Sequence, residues 1–469
     1  MGNKIAILGG GVTGLSAAWK LAEAGVRVDV FEAEAQPGGL GASVRVGPYT
    51  FDYGIHAFMV DGMTGEVAHR FHELMGHDLP FLKKDAKIKF HGEYFQYPLD
   101  MFQIIFKLPP RETILCARDF LLASFRNLFR KPRDVSAEDW IVNRFGRSLY
   151  QIFFEKYTEK VWGVHPSRLD ASFTEHRIPK LSIWTTIWDT LVKISPFKPK
   201  MPKKDALVVR RFYYPVDGVG IYAERVAEMT SRRGGRVHLE SPVSRIGLVG
   251  NRVAWVEYTD DGRRERLDCD IAISTISIRN LLNMMEPRPP EAVIQAADEL
   301  RFRALLYVFL IVDRLDILHA QWIYFRTRTF NRVTELNRFS RKIVPPGKTV
   351  LCAEITCDVG DELWNATPAK LAERVARELK EEGFIRPGEV TGHHVLKTAE
   401  GYTIYLLHYR EHLEKIQEYI RSIPNLYVSG RQGMFKYIQM DHGMEMGYRI
   451  ADHIINGRPK NEGGGKNFF

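Results

Sequence analysis

Two hydrophobic patterns divide this chain. In the first, apolar residues run without polar alternation: Ile5-Ala6-Ile7-Leu8, Ile271-Ala272-Ile273, Ala304 to Val312 and Leu426-Tyr427-Val428 each read as a strand covered on both faces. In the second, apolar and polar positions alternate with the period of a half-exposed strand. Ser43 to Val46 and Tyr49 to Asp52 do so around Gly47-Pro48, and Ile88 to Phe95 do so around Gly92, which predicts two hairpins. Arg236 to Leu239, Val243 to Ile246 and Arg252 to Tyr258 predict further strands. Helical spacing occupies Val12 to Glu23, part of Val60 to Pro80, Met101 to Phe129, Ile221 to Ser231 and His442 to Ile455.

The recurrence of doubly buried strands near residues 5, 271 and 426 predicts one α/β domain that the chain leaves and re-enters. The expected plan is a discontinuous Rossmann-type domain over 1–75, 209–280 and 398–469. A mixed α+β substrate domain with a helical insert fills 76–208 and 281–397. At 469 residues the chain exceeds one typical core, in keeping with two domains.

The first strand carries the strongest chemical signal. Gly9, Gly11 and Gly14 satisfy G-x-G-x-x-G between that strand and the helix from Val12. The first glycine permits a sharp turn, the second lets backbone approach a pyrophosphate, and the third lets helix and sheet come close. The helix then points its amide end at that phosphate. The next strand ends in Glu32, 18 residues past Gly14, where a carboxylate accepts hydrogen bonds from a ribose 2′-hydroxyl and disfavours a 2′-phosphate. This unit fits NAD or FAD equally. Gly38-Gly39 add a second glycine cluster just beyond the acid.

Composition narrows the alternatives. Hydrophobic residues at 45% and charged residues at 26% are ordinary for a globular protein. The net charge of +9 suits an anionic substrate or an anionic membrane surface, and no nucleic-acid motif accompanies it. Cys116, Cys269, Cys352 and Cys357 are too few and scattered for a disulfide scaffold or a metal site, so they read as core thiols in a reducing, cytoplasmic setting. The N-terminus shows no signal peptide, and the longest apolar run, Ala304 to Val312, is about half a bilayer span.

Three other stretches bear on function. Ile114, Ala117, Leu121, Phe125 and Leu128 form an apolar helical stripe, with Arg118, Arg126, Arg130, Lys131 and Arg133 around its far end. Such a stripe ordinarily packs on the protein's own body. With this basic fringe, and with Lys193 to Lys204 also basic, it equally suits peripheral contact with an acidic bilayer. Phe153 to Gly163 crowds aromatics and lysines before a glycine, which suits a pocket that stacks on a ring and neutralises an anion, or an ordinary amphipathic helix end. His56, after Gly54, stands where a side chain reaches the cofactor unit or is satisfied in the core.

GGGVTGLSAAWKLAEAG with Glu32 and Gly38-Gly39 resembles the FAD site of the amine oxidase and protoporphyrinogen oxidase superfamily. KYTEKVWG, RIP, NRVTE and GRQGMFKYIQMD resemble its UDP-galactopyranose mutase branch. The resemblance implies non-covalent FAD held by Gly9, Gly11, Gly14, Glu32, Gly39 and Arg431, with strand pairing at Val243 near the adenine. It also implies a small-molecule pocket lined by His56, Trp162, Arg332, Tyr402 and Tyr437, with no metal.

The chain departs from the mutase pattern at three places. The second phosphate-binding arginine expected four residues after Arg177 is Leu181, Tyr402 is followed by Thr403 rather than proline, and an acidic position near Tyr437 is Gln439. Each charge-assisted bond lost with the arginine is worth roughly 1.5–3 kcal/mol to a diphosphate. The expectation is therefore an FAD-dependent oxidoreductase acting on a substrate with an anionic or polar head, lipid- or sugar-linked. Arg332 anchors the head, Trp162 lines the pocket, Tyr402 and Tyr437 orient the reacting carbon, and His56 or Lys160 moves protons. The alternatives are a redox-neutral nucleotide-sugar mutase using reduced FAD, and a flavin-binding protein without catalysis.

Overall fold

The computed structural model describes residues 3–59, 63, 65–76, 79–97, 103, 106–129, 132–175, 211–458, 460, 468 and 469. Five parallel strands form the central sheet, in the order Arg236–His238, Arg27–Phe31, Lys4–Leu8, Ile271–Ser274 and Leu426–Val428. Its members come from three separated stretches of chain. Ile5, Ala6, Ile7 and Leu8 are fully buried, as a strand covered on both faces requires. One covering layer is the helix Val12–Glu23, with Met440–Ile455 packed beside it and Trp19 set edge-on against Tyr448.

The second large sheet is mixed and seven-stranded, in the order Val390–Ile404, Arg301–Val312, Thr349–Cys357, Arg332–Glu335, Trp322–Phe325, Ala86–Phe90 and Glu93–Gln96. The continuous apolar run Ala304 to Val312 forms most of the strand Arg301–Val312, and its two side-chain sets explain the missing alternation. Ala304, Leu306, Val308 and Leu310 pack with Leu371 and Val375 of the helix Pro368–Glu381, while Leu305, Tyr307 and Phe309 face the core shared with the nucleotide domain. Val390–Ile404 pairs with this strand along its whole length. The strand spans the expected domain boundary at 397, and the ladder shifts register close to it, between the pairs Arg303–Tyr402 and Leu305–Thr398.

Both predicted hairpins are present, Ser43–Val46 with Tyr49–Asp52 and Ala86–Phe90 with Glu93–Gln96. The helical insert contains Pro110–Phe129, Ala137–Phe145 and Lys156–Trp162. A reciprocal capping box between Ser136 and Asp139 fixes the start of the second helix. The helical region is interrupted at Leu108 and Pro109: Gln103, Phe106 and Lys107 are helical, and the long helix starts at Pro110, where proline suits a first turn. Its apolar stripe corrects the ordinary expectation: Cys116 and Ala123 face the body, while Ile114, Leu121, Phe125 and Leu128 are exposed.

All four cysteines are buried and unpaired, and burial pushes Cys116 up to about 11 and Cys269 and Cys357 up to about 12. Among the described residues no helix is long and apolar enough to cross a membrane, and no group of three acidic, histidine or cysteine side chains could hold a metal. Arg177, Leu181 and the basic stretch from Lys193 to Lys204 lie outside the described residues.

Candidate functional site

The glycine turn is built for a ligand that touches backbone. Gly9 has φ +100°, a conformation that side chains resist, and its N–H donates to the Phe31 carbonyl at 2.9 Å. A Cβ on Gly14 would stand 2.1 Å from the Gly9 carbonyl oxygen, so only glycine lets helix and turn approach this closely. Gly11 caps the helix without any side-chain acceptor, which leaves the first-turn amides for an anion.

Glu32 closes the other side. Its carboxylate accepts from the Gly10 N–H at 2.8 Å and the Glu34 N–H at 3.1 Å, which fixes it at the rim, while burial raises its pKa. The second glycine cluster is tied to the first, since Gly38 N–H donates to the Gly10 carbonyl at 2.7 Å. One cleft runs from Gly9, Gly11 and Gly39 past Glu32 to His56 and Arg431. The cradle thus offers uncapped amides for a diphosphate, an acid for a ribose, and a continuing channel, and these residues fit FAD.

Val243 does not line that cleft. Its side chain packs into the cluster that contains Phe31, two residues beyond Ser241, whose N–H donates to the Glu32 carbonyl at 2.7 Å. It supports the Glu32 strand from behind.

Beyond the cleft the structure brings together His56, Trp162, Arg332, Tyr402, Arg431 and Tyr437. Trp162 stacks on Tyr402 with ring centres 5.9 Å apart, and Tyr402 meets Tyr437 at 6.2 Å. The Arg431 guanidinium lies 4.4 Å from the Tyr437 ring centre and 5.7 Å from that of Tyr402, while its Nη2 donates to the Gly401 carbonyl at 2.9 Å. Burial holds His56 down at about 3, helped first by Arg431 and then by Arg332, so the imidazole is neutral near pH 7. Its Nδ1 has no hydrogen-bond partner among the described residues.

Arg332 is placed by strand register. It sits opposite Tyr324 on one side and Glu354 on the other, donates through Nε to Glu354 Oε1 at 2.8 Å, and adds a second bond from Nη2 to the same oxygen. Burial opposes its charge, but Glu354 more than offsets that and keeps the guanidinium ionised.

Lys160 is drawn elsewhere. Its ammonium donates at 2.8 Å to each of the carbonyls of Phe325, Arg328 and Phe330, which uses all three of its N–H bonds. Burial lowers it to about 7, with Glu378 opposing part of that fall. The three carbonyls favour the charged form, so this lysine holds a loop rather than moving a proton.

Sequence reading missed Lys84, Tyr53 and Glu400. Lys84 stands 4.9 Å from the Tyr97 ring centre and 5.8 Å from that of Trp322, with no carboxylate partner among the described residues. Burial lowers its pKa, and the nearby Arg332 charge adds to that. Trp322 and Tyr324 share one face of their strand, so Lys84 and Arg332 border the same wall. Tyr53 and Glu400 line the cleft, and Ser277 donates to Glu400 at 2.9 Å. The sole sequence cue for Glu400 is its place two residues before Tyr402; Lys84, one of a pair of lysines before a strand, carries none.

A parallel sheet with a glycine cradle, opening into an aromatic pocket beside a second sheet, is an arrangement that suits a flavin-binding protein. The flavin-containing amine oxidoreductase family matches residues 12–455, and the chain belongs to that family. Its cofactor is FAD, bound without a covalent link. The chain is 22% identical to a crystal structure of reduced UDP-galactopyranose mutase, with a TM-score of 0.81 over 97% of this chain and 96% of that one.

In sequence it is 29% identical to a protein described as probable UDP-galactopyranose mutase from Klebsiella pneumoniae, over 38% of this chain and 46% of that protein. It is 23% identical to the 1-hydroxycarotenoid 3,4-desaturase of a Flavobacterium species, over 59% of this chain and 57% of that protein. The chain thus spans about half the length of these two relatives.

Proposed function

We propose that this flavoenzyme is an oxidoreductase that moves a hydride to or from a small molecule carrying an anionic head. The observation that supports this reading is the charge around the pocket. Arg431 lines the cleft, Arg332 stands near enough to His56 to lower it, and Lys84 lies beside Arg332, whose partner Glu354 is already engaged. A protonated amine would meet net positive charge there, whereas a phosphate or carboxylate would be drawn in.

When bound, FAD supplies a ring position that accepts or gives up a hydride. The chain's own residues do the rest. Arg332 and Lys84 hold the head, the Trp162–Tyr402–Tyr437 wall stacks against the reacting part and excludes water, and His56 stays neutral until an anion arrives. An anion set between His56 and the two arginines offsets part of the charge that depresses the imidazole, which raises its proton affinity and lets it take a proton from the substrate.

A second reading, a redox-neutral nucleotide-sugar mutase, draws support from Lys84 beside Arg332, which offers a diphosphate a second cation in a chain that lacks the second arginine of the mutase pattern. The test is anaerobic. Oxidised protein is mixed with anionic-headed alcohols and alkenes, and flavin bleaching is followed; the oxidoreductase reading expects bleaching by at least one of them. Dithionite-reduced protein is held with UDP-galactopyranose, and conversion to the furanose without bleaching in the first arm would replace that reading with the second.

A further inference from the structure

The long insert helix turns the wrong face to solvent for a protein that packs only on itself. Along Pro110–Phe129, the side chains toward the body are small. Cys116 and Ala123 are buried, with Cys116 in the cluster of Trp140, Phe145 and Leu149. The mounting is firm. Asp119 accepts from the Ser148 N–H at 3.0 Å and hydroxyl at 2.6 Å, and a Cβ on Gly146 would come within 2.6 Å of the Asp119 backbone. Lys107 also donates to the Tyr94 carbonyl at 2.7 Å.

The large apolar side chains point the other way. Ile114, Leu121, Leu122, Phe125, Leu128 and Phe129 are each between 61% and 77% exposed. At helical spacing they fill an arc of about 120° on the side away from Cys116 and Ala123. Bare apolar area of this kind on a rigidly held helix marks a contact surface.

Charge selects the occupant. Residues 106–133 hold seven lysines and arginines, among them Arg111, Arg118 and Arg126, against two acids, Glu112 and Asp119. That excess is more than half of the chain's +9. Two copies of this face brought together by a two-fold axis would set like charges against each other. An acidic lipid surface instead neutralises Arg111 and Arg118 within that arc and Arg126 beside it, while its acyl boundary takes the apolar side chains between them. We infer that Pro110–Phe129 is an interfacial helix that seats the enzyme on an anionic bilayer, lying in the plane of the surface without crossing it. The inference stands apart from the chemistry proposed at the flavin site.

The test uses the full chain loaded with flavin and sedimented with vesicles of phosphatidylcholine, with and without phosphatidylglycerol. The expected result is co-sedimentation with the anionic vesicles, weakened by added salt, and a fall of about tenfold or more in partitioning for Leu121→Glu/Phe125→Glu with flavin content unchanged. A Leu121→Ser/Phe125→Ser pair serves if the first variant fails to fold. Wild-type chain left in the supernatant, or a double variant that sediments like the wild type, would overturn the inference. So would light scattering in which the double substitution splits a dimer of a chain that ignores vesicles, because the face would then belong to a second copy.

Discussion

The cofactor cradle and the substrate wall are built on opposite plans. The cradle is made of backbone: Gly9, Gly11, Gly14, Gly38 and Gly39 with the carboxylate of Glu32, all within a short stretch of chain. The wall is made of side chains, Lys84, Trp162, Arg332, Tyr402 and Tyr437, carried by segments that meet only through sheet register and helix packing. A backbone site tolerates almost no added atom, whereas a side-chain site can lose one member and keep its shape. The two halves should therefore fail differently when mutated.

The largest effect on flavin content is expected in the cradle. Gly14→Val forces carbon against the Gly9 carbonyl, where a Cβ already lies at 2.1 Å, and overpacking of this kind costs about 1–3 kcal/mol or more. Flavin absorbance per mole of purified protein should fall to near zero, and a variant that purifies fully yellow would contradict the cradle. Next, Arg332→Leu leaves Glu354 buried without its partner, a loss of roughly 3–5 kcal/mol in stability. The melting temperature should drop and substrate binding should disappear while folded protein keeps its flavin.

Lys84→Gln removes one charge-assisted contact, worth roughly 1.5–3 kcal/mol, so KM for the anionic substrate should rise about tenfold or more with flavin content and melting temperature unchanged. An unchanged KM would separate Lys84 from the wall.

The smallest effect at neutral pH is that of His56, and it grows as acid is added. The folded chain holds His56 at about 3, below the roughly 6.5 of an unfolded histidine. As pH falls from about 6.5 toward 3 the unfolded state takes up the proton first, so stability declines over that window. His56→Asn should flatten that decline in denaturant titrations, and an identical slope would place the histidine outside the site.

The same contrast decides what could be read from the residues alone. Strand, glycine turn, helix, strand and acid follow one another without interruption, so the cradle and the discontinuous parallel sheet were both legible. Arg332, Tyr402 and Tyr437 were reachable through family-like motifs. Lys84 was not, since only the sheet packing brings it beside Tyr97 and Trp322. Lys160 looked like a pocket lysine because it shares a stretch with Trp162, yet three carbonyls turn it away from the pocket. The outward apolar face of Pro110–Phe129 was visible as a stripe, but its direction depends on the small residues opposite, which periodicity does not rank.

The central claim is that an anion meets Arg332 and Lys84 within reach of the flavin. Inorganic pyrophosphate titrated into the flavin-loaded protein should shift flavin fluorescence to saturation, with the midpoint displaced upward by Lys84→Gln and by added salt. A flat titration, or the same midpoint in the wild type and Lys84→Gln, would contradict it.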